Sequence, residues 1–324
     1  MIDRRQFLHA LAAAPLLSAT SGVARAETYP SRPVRIIVGF GAGGNFDLVA
    51  RVIAERMAEH LGQPVIVENR PGASSNIAAE AAIRAPADGY TLFLAGAVNA
   101  INATLYDKLA FNFASDVAPI AGAVQFPNVM TVSASFPAKS VPEFIAYAKA
   151  HRDKINQGSS GSGTTQHLAG ELFKSAAGVR FVHVPYRGAA QAVTDMLGGQ
   201  VQVLFEALPA SIQHIKSGQL RALAVTTSGR SDALPETPPM AEFLPGYEAS
   251  GWSGFCAPKN TPAPIIEKLN AAINDSLIDS RVKARFAELG AMTIGGSPND
   301  FGKLVVRETE KWSQVIRAGN IKLD

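Results

Sequence analysis

The sequence predicts an α/β protein of two lobes, each a sheet flanked by helices, with a cleft between the lobes. The chain has 324 residues, more than one average domain and enough for about two. Short β-branched runs alternate with segments of helical apolar spacing, as in sheets covered by helices on both faces. This alternation starts again near Val129. Clefts between such lobes are common ligand sites.

Composition and charge narrow the class of protein. Hydrophobic residues make up 47% of the chain and charged residues 18%, which predicts a sizeable core and argues against disorder. The net charge of +3 includes three arginines and one aspartate within residues 1–26, so the remainder carries +1. That remainder has no Lys/Arg run of the kind that binds nucleic acid. A single cysteine, Cys256, excludes an intrachain disulfide and is expected to be a core thiol.

The first 26 residues have the pattern of an export signal. Arg4 and Arg5 precede the apolar stretch Leu8–Ala19, and Ala24 and Ala26 supply the small residues of a cleavage site. The Arg-Arg-x-Phe-Leu pattern resembles a twin-arginine signal. A membrane anchor is the alternative, but the apolar stretch is too short to span a bilayer. The sequence therefore predicts an exported, periplasmic protein.

The exported chain begins with a strand–loop–helix–strand unit. Val34–Val38 is a β-branched run, and the glycine-rich loop Gly39–Gly44 follows it. Apolar residues then recur at helical spacing as far as Leu61, where Gly62 ends the helix. The next elements are predicted as the strand Val65–Val67 and, after the segment Asn76–Ala85 and a turn at Pro86–Gly89, the strand Tyr90–Leu94.

The second half repeats this alternation and ends in three helices. The predicted strands are Val129–Val132, Phe181–Val184, Val201–Phe205 and Leu223–Thr226. The final helices are predicted as Pro264–Leu277, Arg281–Leu289 and Asp300–Ala318. The segment Trp252–Pro258 between the two regions is interpreted as a crossing between lobes. The prediction is thus one lobe from 27–125 plus 252–324 and a second from 126–251.

The glycine-rich loop admits two interpretations. Gly39–Gly44 satisfies G-x-G-x-x-G between a strand and a helix, and Glu68 ends the next strand, which is formally a dinucleotide fingerprint. An exported NAD(P)-dependent oxidoreductase is therefore one hypothesis. More generally, a helix start offers unpaired N–H groups to any anion, including a carboxylate. Asp47, in the first helical turn, either contacts a ligand or simply favours the helix start.

No catalytic group stands out elsewhere in the sequence. The loop Gly158–Thr165 also precedes a helix, but it matches neither a phosphate-binding Walker loop nor a G-x-S-x-G nucleophile turn. His167 and His183 are candidate bases, although structural histidines are commoner. No metal-ligand motif is present in the sequence, and no nucleophile has an evident base. The prediction is a protein that is not an enzyme and has no catalytic residue, metal or cofactor.

A series of segments, taken in order, resembles one family. The segments are Tyr29–Val38, Gly43–Asp47, Val67–Ala73, Asp88–Leu92, Leu105–Tyr106, Ser159–Thr164, His167–Leu172, His183–Gly188, Gly198–Val201, Leu223–Thr226 and Trp312. They are similar to the substrate-binding proteins of tripartite tricarboxylate transporters, also called Bug receptors. The resemblance covers essentially all of the chain after the export signal.

The resemblance implies a type II periplasmic binding-protein fold that closes on a carboxylate without a cofactor. The partners it implies are the membrane subunits of such a transporter or a sensor kinase, and the receptor itself is expected to be a monomer. Carried onto this sequence, the expected ligand contacts are Phe40, Ala42, Gly43, Gly44, Asn45, Asp47, Asn99, Ser160, Ser162, Gly163, Thr164, Pro185, Tyr186, Gly188 and Glu206. Ala42, Asn45, Ala103 and Glu206 depart from the family's usual residues. A carboxylate at Glu206 would repel an acidic ligand unless it meets an amine or a proton donor.

Overall fold

The computed structural model describes residues 29–152, 154–186, 188–288 and 290–322. The predicted export signal in residues 1–26 and Leu289, the predicted end of one helix, lie outside the described residues. In the described part no helix combines the length and the apolar character needed to cross a membrane.

The elements form two groups along the chain. The first run is β1 Val34–Val38, α1 Asn45–Leu61, β2 Val65–Asn69, α2 Asn76–Ile83, β3 Thr91–Gly96, α3 Ala97–Leu105, α4 Phe113–Asp116 and β4 Val117–Phe126. The second is β5 Asn128–Ser133, α5 Val141–Ala150, β6 Asn156–Ser159, α6 Thr165–Ala177, β7 Val182–Pro185, α7 Ala189–Leu197, β8 Val203–Ala207, α8 Leu208–Lys216 and β9 Leu220–Val225. The chain ends with β10 Gly251–Pro258, α9 Ala263–Ile278, α10 Ser280–Glu288, β11 Met292–Thr293 and α11 Pro298–Ala318.

The strands form two sheets. The first has the order β11-β4-β10-β3-β1-β2, and the second has the order β7-β6-β8-β5-β9. In the first sheet β1 pairs in parallel with both β2 and β3. In the second, β6 is parallel to β7 and β8, whereas β5 is antiparallel to β8 and β9. We call each sheet with its covering helices a lobe.

One predicted crossing segment is a strand instead. Trp252–Pro258 was expected to connect the lobes, but it lies within β10, antiparallel to β3 and β4 near the middle of the first sheet. The expectation of a parallel sheet is therefore wrong for this half of the first lobe, and β4 was not predicted at all. The hydrogen bonds that define β10 come from strands over a hundred residues earlier in the chain, so local sequence does not reveal them.

Helix ends follow local sequence more closely. Gly62 closes α1 in the left-handed conformation, with φ of +68°, and donates its N–H to Ala58 O. Ser297 and Asp300 form a reciprocal capping box at the start of α11. Local rules of this kind fix where each of these helices begins and ends.

A buried polar side chain joins the two connections between the lobes. Asn128 follows β4 directly, and its Nδ2 donates to Ala249 O, 2.8 Å away, just before β10. Thr226 Oγ1 accepts from Asn128 N, and it lies within hydrogen-bond distance of two acceptors, Asn128 O and Ala249 O. Because Asn128 and Thr226 are both buried, these bonds hold the two connections side by side.

Candidate binding cleft

A cavity of about 300 Å³ lies between the two lobes, and we call it the cleft cavity. The first lobe lines it with Phe40, Gly44, Asn45, Phe46, Ala97 and Val98, and the second lobe with Asn128, Thr164, Thr165, Gln166 and Ala207. Phe126, Gly251 and Trp252, at the connections between the lobes, complete the wall. None of these residues carries an ionisable side chain.

Four helices begin at the cleft cavity. Its lining includes the N-cap or first-turn residues of α1 and α3 from the first lobe and of α6 and α8 from the second. The first-turn N–H groups of a helix have no intrahelical acceptor, and its N-terminus carries partial positive charge. In α1 the N-cap Gly44 offers no side chain to occupy them. The cavity therefore favours an anion although none of the described residues that line it has a cationic side chain.

Asp47 stabilises the glycine-rich loop through hydrogen bonds from the protein interior. It is buried, and its carboxylate accepts from Gly43 N at 2.8 Å, from Asn69 Nδ2 at 2.9 Å and from the Arg51 guanidinium. The hydrogen bonds with Arg51, followed by those with Gly43 and Asn69, lower the pKa of Asp47 to about 2 despite its burial. With its oxygens engaged in this way, Asp47 positions the loop, and the structure does not place it in the cavity wall.

The second loop is closed by its own hydrogen bonds. Thr164 caps α6, accepts from His167 N, and donates from Oγ1 to Gly161 O at 2.7 Å. Gly163 has φ of +75° and donates its N–H to His167 Nδ1. A residue with a side chain is strained in that conformation, so glycine is required at this turn. The loop thereby presents Thr164, Thr165 and Gln166 to the cavity.

The two candidate histidines are stacked beneath this loop. The rings of His167 and His183 lie 3.7 Å apart at 7°, and His183 Nε2 is 2.6 Å from Ser159 Oγ. His167 Nε2 lies 3.6 Å from Glu171, which also pairs with Lys174. Burial, followed by the charge of His167, lowers the pKa of His183 to about 3. Since Ser159 is fully buried, the pair supports the loop and is not arranged as a nucleophile with its base.

The stacked pair predicts an acid-sensitive fold. A histidine pKa lowered in the folded state stabilises the fold above the unfolded value of about 6.5 and loses that contribution as pH falls toward 3. We expect the free energy of unfolding to fall by up to about 1.4 kcal/mol per pH unit below 6.5. Urea denaturation at a series of pH values measures this slope.

His183→Gln is the matched variant for that slope. Glutamine can still hydrogen-bond Ser159 but does not titrate, so the variant should show a shallower loss between pH 6.5 and 4. Equal slopes in the wild type and the variant would contradict the assignment of the acid sensitivity to His183.

Glu206 lies beside the cavity in the second lobe. Its side chain is buried at the end of β8, next to Ala207, and hydrogen-bonds Ser160. Burial raises its pKa, and the hydrogen bonds from Ser160 and from the Ala207 N–H offset this only in part. Glu206 is thus a buried acid directly behind the cavity lining, which itself has no ionisable side chain among the described residues.

The structure separates the expected ligand contacts into two sets. Those that line the cleft cavity are Phe40, Gly44, Asn45 and Thr164. Those that do not line it are Ala42, Gly43, Asp47, Asn99, Ser160, Ser162, Gly163, Pro185, Tyr186, Gly188 and Glu206. Contact with a ligand stays a prediction for both sets.

Asn99 and Tyr186, two further members of the second set, also have structural partners. Asn99 is buried at the start of α3, and its Oδ1 accepts from Gly96 N at 3.0 Å. The hydroxyl of Tyr186 donates to Asp195 at 2.8 Å, and burial together with this carboxylate raises the pKa of Tyr186 to about 12. The first contact caps the start of α3, and the second holds Tyr186 against the last turn of α7.

Sequence reasoning missed the residues at the connections between lobes. Phe126, Asn128, Gly251 and Trp252 line the cavity, as do Thr165 and Gln166 at the start of α6. A usable signal existed, because segments that cross between two lobes necessarily border the cleft between them. Trp252 belongs to the segment predicted to cross between the lobes, and this position favours a side chain at the cleft.

The residues needed for a dinucleotide are engaged otherwise. Glu68, the expected ribose ligand, forms ion pairs with Arg35 at 3.2 Å and with Arg70. A Cβ added to Gly39 would overlap Ser75 Oγ, so the first glycine of the motif serves packing between two loops. Within the described residues, no group of three or more His, Cys, Asp or Glu side chains is placed to hold a metal ion.

Comparison with known proteins assigns the chain to a family. The model of the tripartite tricarboxylate transporter family receptor matches residues 49–321. Protein BugT of Bordetella pertussis is 37% identical over 319 residues, covering 97% of this chain and 98% of BugT.

Two solved structures of relatives carry acids. R. palustris Rpa4515 with adipate is 37% identical, with a TM-score of 0.78, over 91% of this chain and 99% of that chain. MatC from Rhodopseudomonas palustris with bound malate is 32% identical, with a TM-score of 0.75, over 89% of this chain and 100% of that chain. The match to the family over most of the chain, together with the shared two-sheet fold, identifies this protein as a member of the tripartite tricarboxylate transporter receptor family.

Proposed function

We propose that this protein is a periplasmic receptor that captures a small organic carboxylate in the cleft cavity. The observation that carries the proposal is the meeting of four helix N-termini, two from each lobe, at one cavity. Their dipoles favour negative charge from both sides. In α8 the Leu208 N–H donates to Pro127 O and Pro209 has no N–H, so this helix contributes mainly its dipole. A carboxylate bound there bridges the lobes and stabilises the closed arrangement.

The side chains that line the cavity indicate the kind of ligand that would accompany the carboxylate group. Phe40, Phe46, Phe126 and Trp252 give the cavity four aromatic walls, and the rings of Phe40 and Phe46 lie 4.6 Å apart. Asn45, Asn128 and Gln166 add neutral hydrogen-bonding groups. This combination suits an acid with an apolar chain or ring. The adipate bound to one relative has such an apolar chain, and the malate bound to another is also a small carboxylate.

Motion of the lobes follows from their connections. We assign residues 27–125 and 252–324 to one lobe and 126–251 to the other, which places the buried Asn128 at the boundary between them. The bonds from Asn128 to Ala249 and Thr226 keep the two connections together while the lobes rotate. Closure over a ligand would then change few contacts inside either lobe.

Export and partners belong to the same proposal. The twin-arginine pattern at Arg4 and Arg5 supports delivery to the periplasm. The membrane subunits of a tripartite tricarboxylate-type transporter are the partners we propose, with a sensor kinase as the alternative, and the receptor would act as a monomer. We propose no catalytic role, because the cavity lining contains no ionisable side chain that could serve as acid, base or nucleophile.

A thermal-shift panel tests this function. Adipate, malate and benzoate are compared with adipamide, which has the chain of adipate without its charge. Ligand at 100 times its dissociation constant stabilises a protein by about 2.7 kcal/mol, so at least one acid should raise the melting temperature by several degrees. Adipamide should have little effect.

Asn45→Asp is the matched control for the panel. Aspartate in the first turn favours α1, so the fold should keep its stability, but its charge in the cavity should weaken binding of a carboxylate at least tenfold. No shift with any acid, or equal shifts with adipate and adipamide, would contradict the proposed function.

A further inference from the structure

Glu206 is a buried acid without a cation beside it in the described part of the chain. Its residue is 1% exposed, and the described residues that pair with its carboxyl are Ser160 and Ala207. The ionisable groups on the helices packed against β8 are His167, Glu171 and Lys174 on α6, Asp195 on α7, and His214 and Lys216 on α8. Lys174 and His167 pair with Glu171, His214 pairs with Gln219, and among the described residues neither these groups nor Lys216 forms an ion pair with Glu206.

The hydrogen bonds of this carboxyl fit its neutral form. Ser160 Oγ lies 2.9 Å from Oε1 and 2.7 Å from Oε2 of Glu206, and Ala207 N donates to Oε1 at 2.9 Å. Oε1 thus has a backbone donor, whereas Oε2 has the serine oxygen as its partner among the described residues. A protonated Oε2 can donate to Ser160 Oγ over the shorter of these distances, and the serine then keeps its own hydrogen.

The position of the pair relates it to the ligand. Ala207, directly after Glu206, lines the cleft cavity, as does Thr164 at the end of the loop that carries Ser160. Ser160 is partly exposed, so its hydroxyl can reach solvent or a bound molecule. An ionised Glu206 would accept a hydrogen bond from the Ser160 hydroxyl, which could then not donate to a ligand. It would also add negative charge beside an anion site.

We propose that Glu206 is a specificity-determining residue, held as a neutral acid that donates to Ser160 Oγ and so frees the serine hydroxyl to donate to a carboxylate ligand. The inference rests on the proposed function for its ligand, but the protonation state of Glu206 can be tested without one. In this arrangement Glu206 donates to Ser160, and the partly exposed Ser160 donates to the ligand. Burial, with no cation beside it among the described residues, disfavours the charged form and supplies the physical cause.

The protonation state has a direct spectroscopic test. An infrared difference spectrum between the wild type and Glu206→Gln at pH 6, without ligand, should contain the carbonyl stretch of one carboxylic acid. Ser160→Ala should shift the frequency of this band, because the acid loses its hydrogen-bond acceptor. A carboxylate band in place of the acid band would overturn the proposal.

Glutamine at 206 is the matched control because its amide reproduces the bonds of the acid. Its NH2 group can donate to Ser160 Oγ and its oxygen can accept from Ala207 N. We expect Glu206→Gln to fold with at least the stability of the wild type at pH 7. Relative to this variant, the wild-type unfolding constant should increase by up to tenfold per pH unit above about 4.5, since a pKa raised in the folded state stabilises the fold only below the unfolded value.

Ligand binding forms the second arm, with adipate and 1,6-diaminohexane as probes of equal length and opposite charge. Wild-type affinity for adipate should fall as pH rises from 5 to 8, whereas Glu206→Gln should bind adipate with little pH dependence. Tight binding of the diamine that is lost in Glu206→Gln would overturn the proposal in favour of an ionised Glu206. If the acid band is present and no carboxylate binds, Glu206 is neutral and the proposed function has failed.

Discussion

Replacing Glu308 with alanine is expected to destabilise the protein by about 2–6 kcal/mol, because each of two buried donors left without its acceptor costs about 1–3 kcal/mol. Glu308 lies on α11, and its residue is 4% exposed. Its Oε2 accepts from the indole N–H groups of Trp252 at 3.3 Å and Trp312 at 3.0 Å, and its Oε1 accepts from Lys311 at 2.6 Å. Alanine would leave both buried indole donors without this acceptor.

The loss should also reach the ligand site. Trp252 lines the cleft cavity with one part of its surface and bonds Glu308 through its indole nitrogen, so it connects the cavity wall to the last helix. We therefore expect Glu308→Ala to weaken ligand binding as well as to lower the urea midpoint and alter tryptophan fluorescence.

Glu308→Gln provides the control for charge. Its amide oxygen can still accept from the indoles, so we expect roughly half of the destabilisation, about 2 kcal/mol. A loss below about 1 kcal/mol in the alanine variant, typical of an exposed ion pair, would contradict the role assigned to Glu308.

Replacing Asp47 with alanine is expected to cost about 3 kcal/mol and to weaken ligand binding more than tenfold, since charge-assisted hydrogen bonds contribute about 1.5–3 kcal/mol each. The carboxylate accepts hydrogen bonds from both Gly43 N and Asn69 Nδ2. It thereby holds the glycine-rich loop, which leads into α1 at the cavity, against the end of β2. Without Asp47, the Gly43 N–H and the Asn69 amide lose their acceptor and the loop is no longer held for an incoming anion. Urea denaturation and calorimetric titration with adipate measure the two losses.

The pH dependence of Asp47 has a defined sign. Its pKa is lowered from 3.8 to about 2, so its contribution is present above pH 3.8 and disappears as the pH falls through 2. Asp47→Asn keeps one acceptor for Gly43 but loses the pair with Arg51, and it should retain more binding than alanine does. Equal binding by the wild type and Asp47→Ala would show that the loop is held by other contacts.

Much of the fold could be predicted because its signals are local. The run Val34–Val38, the helical spacing up to Leu61 and the stop at Gly62 each lie within one element or its border. The strand β10 could not be predicted in this way, since its partners β3 and β4 are more than a hundred residues distant. Where a strand is defined by partners distant in the sequence, its residue propensities show only that the segment is apolar.

The candidate site could be predicted in part for the same reason. Phe40, Gly44 and Asn45 were expected because a glycine-rich loop precedes a helix, and they line the cavity. Asp47 belongs to the same motif, yet its hydrogen bonds with Asn69 and Arg51 direct it to the loop. Phe126 and Trp252 reach the cavity through the connection between lobes, which no local motif describes.

By itself the sequence determined that the protein is an α/β chain with two glycine-rich loops at helix starts and, through its ordered motifs, which family it resembles. Only the tertiary structure decided that four helix starts share one uncharged cavity and that Glu206 lies beside it with Ser160 as its partner. The physical reason is that capping, turns and amphipathic spacing act within a few residues. The partners of a buried polar group are instead chosen by which strands pair.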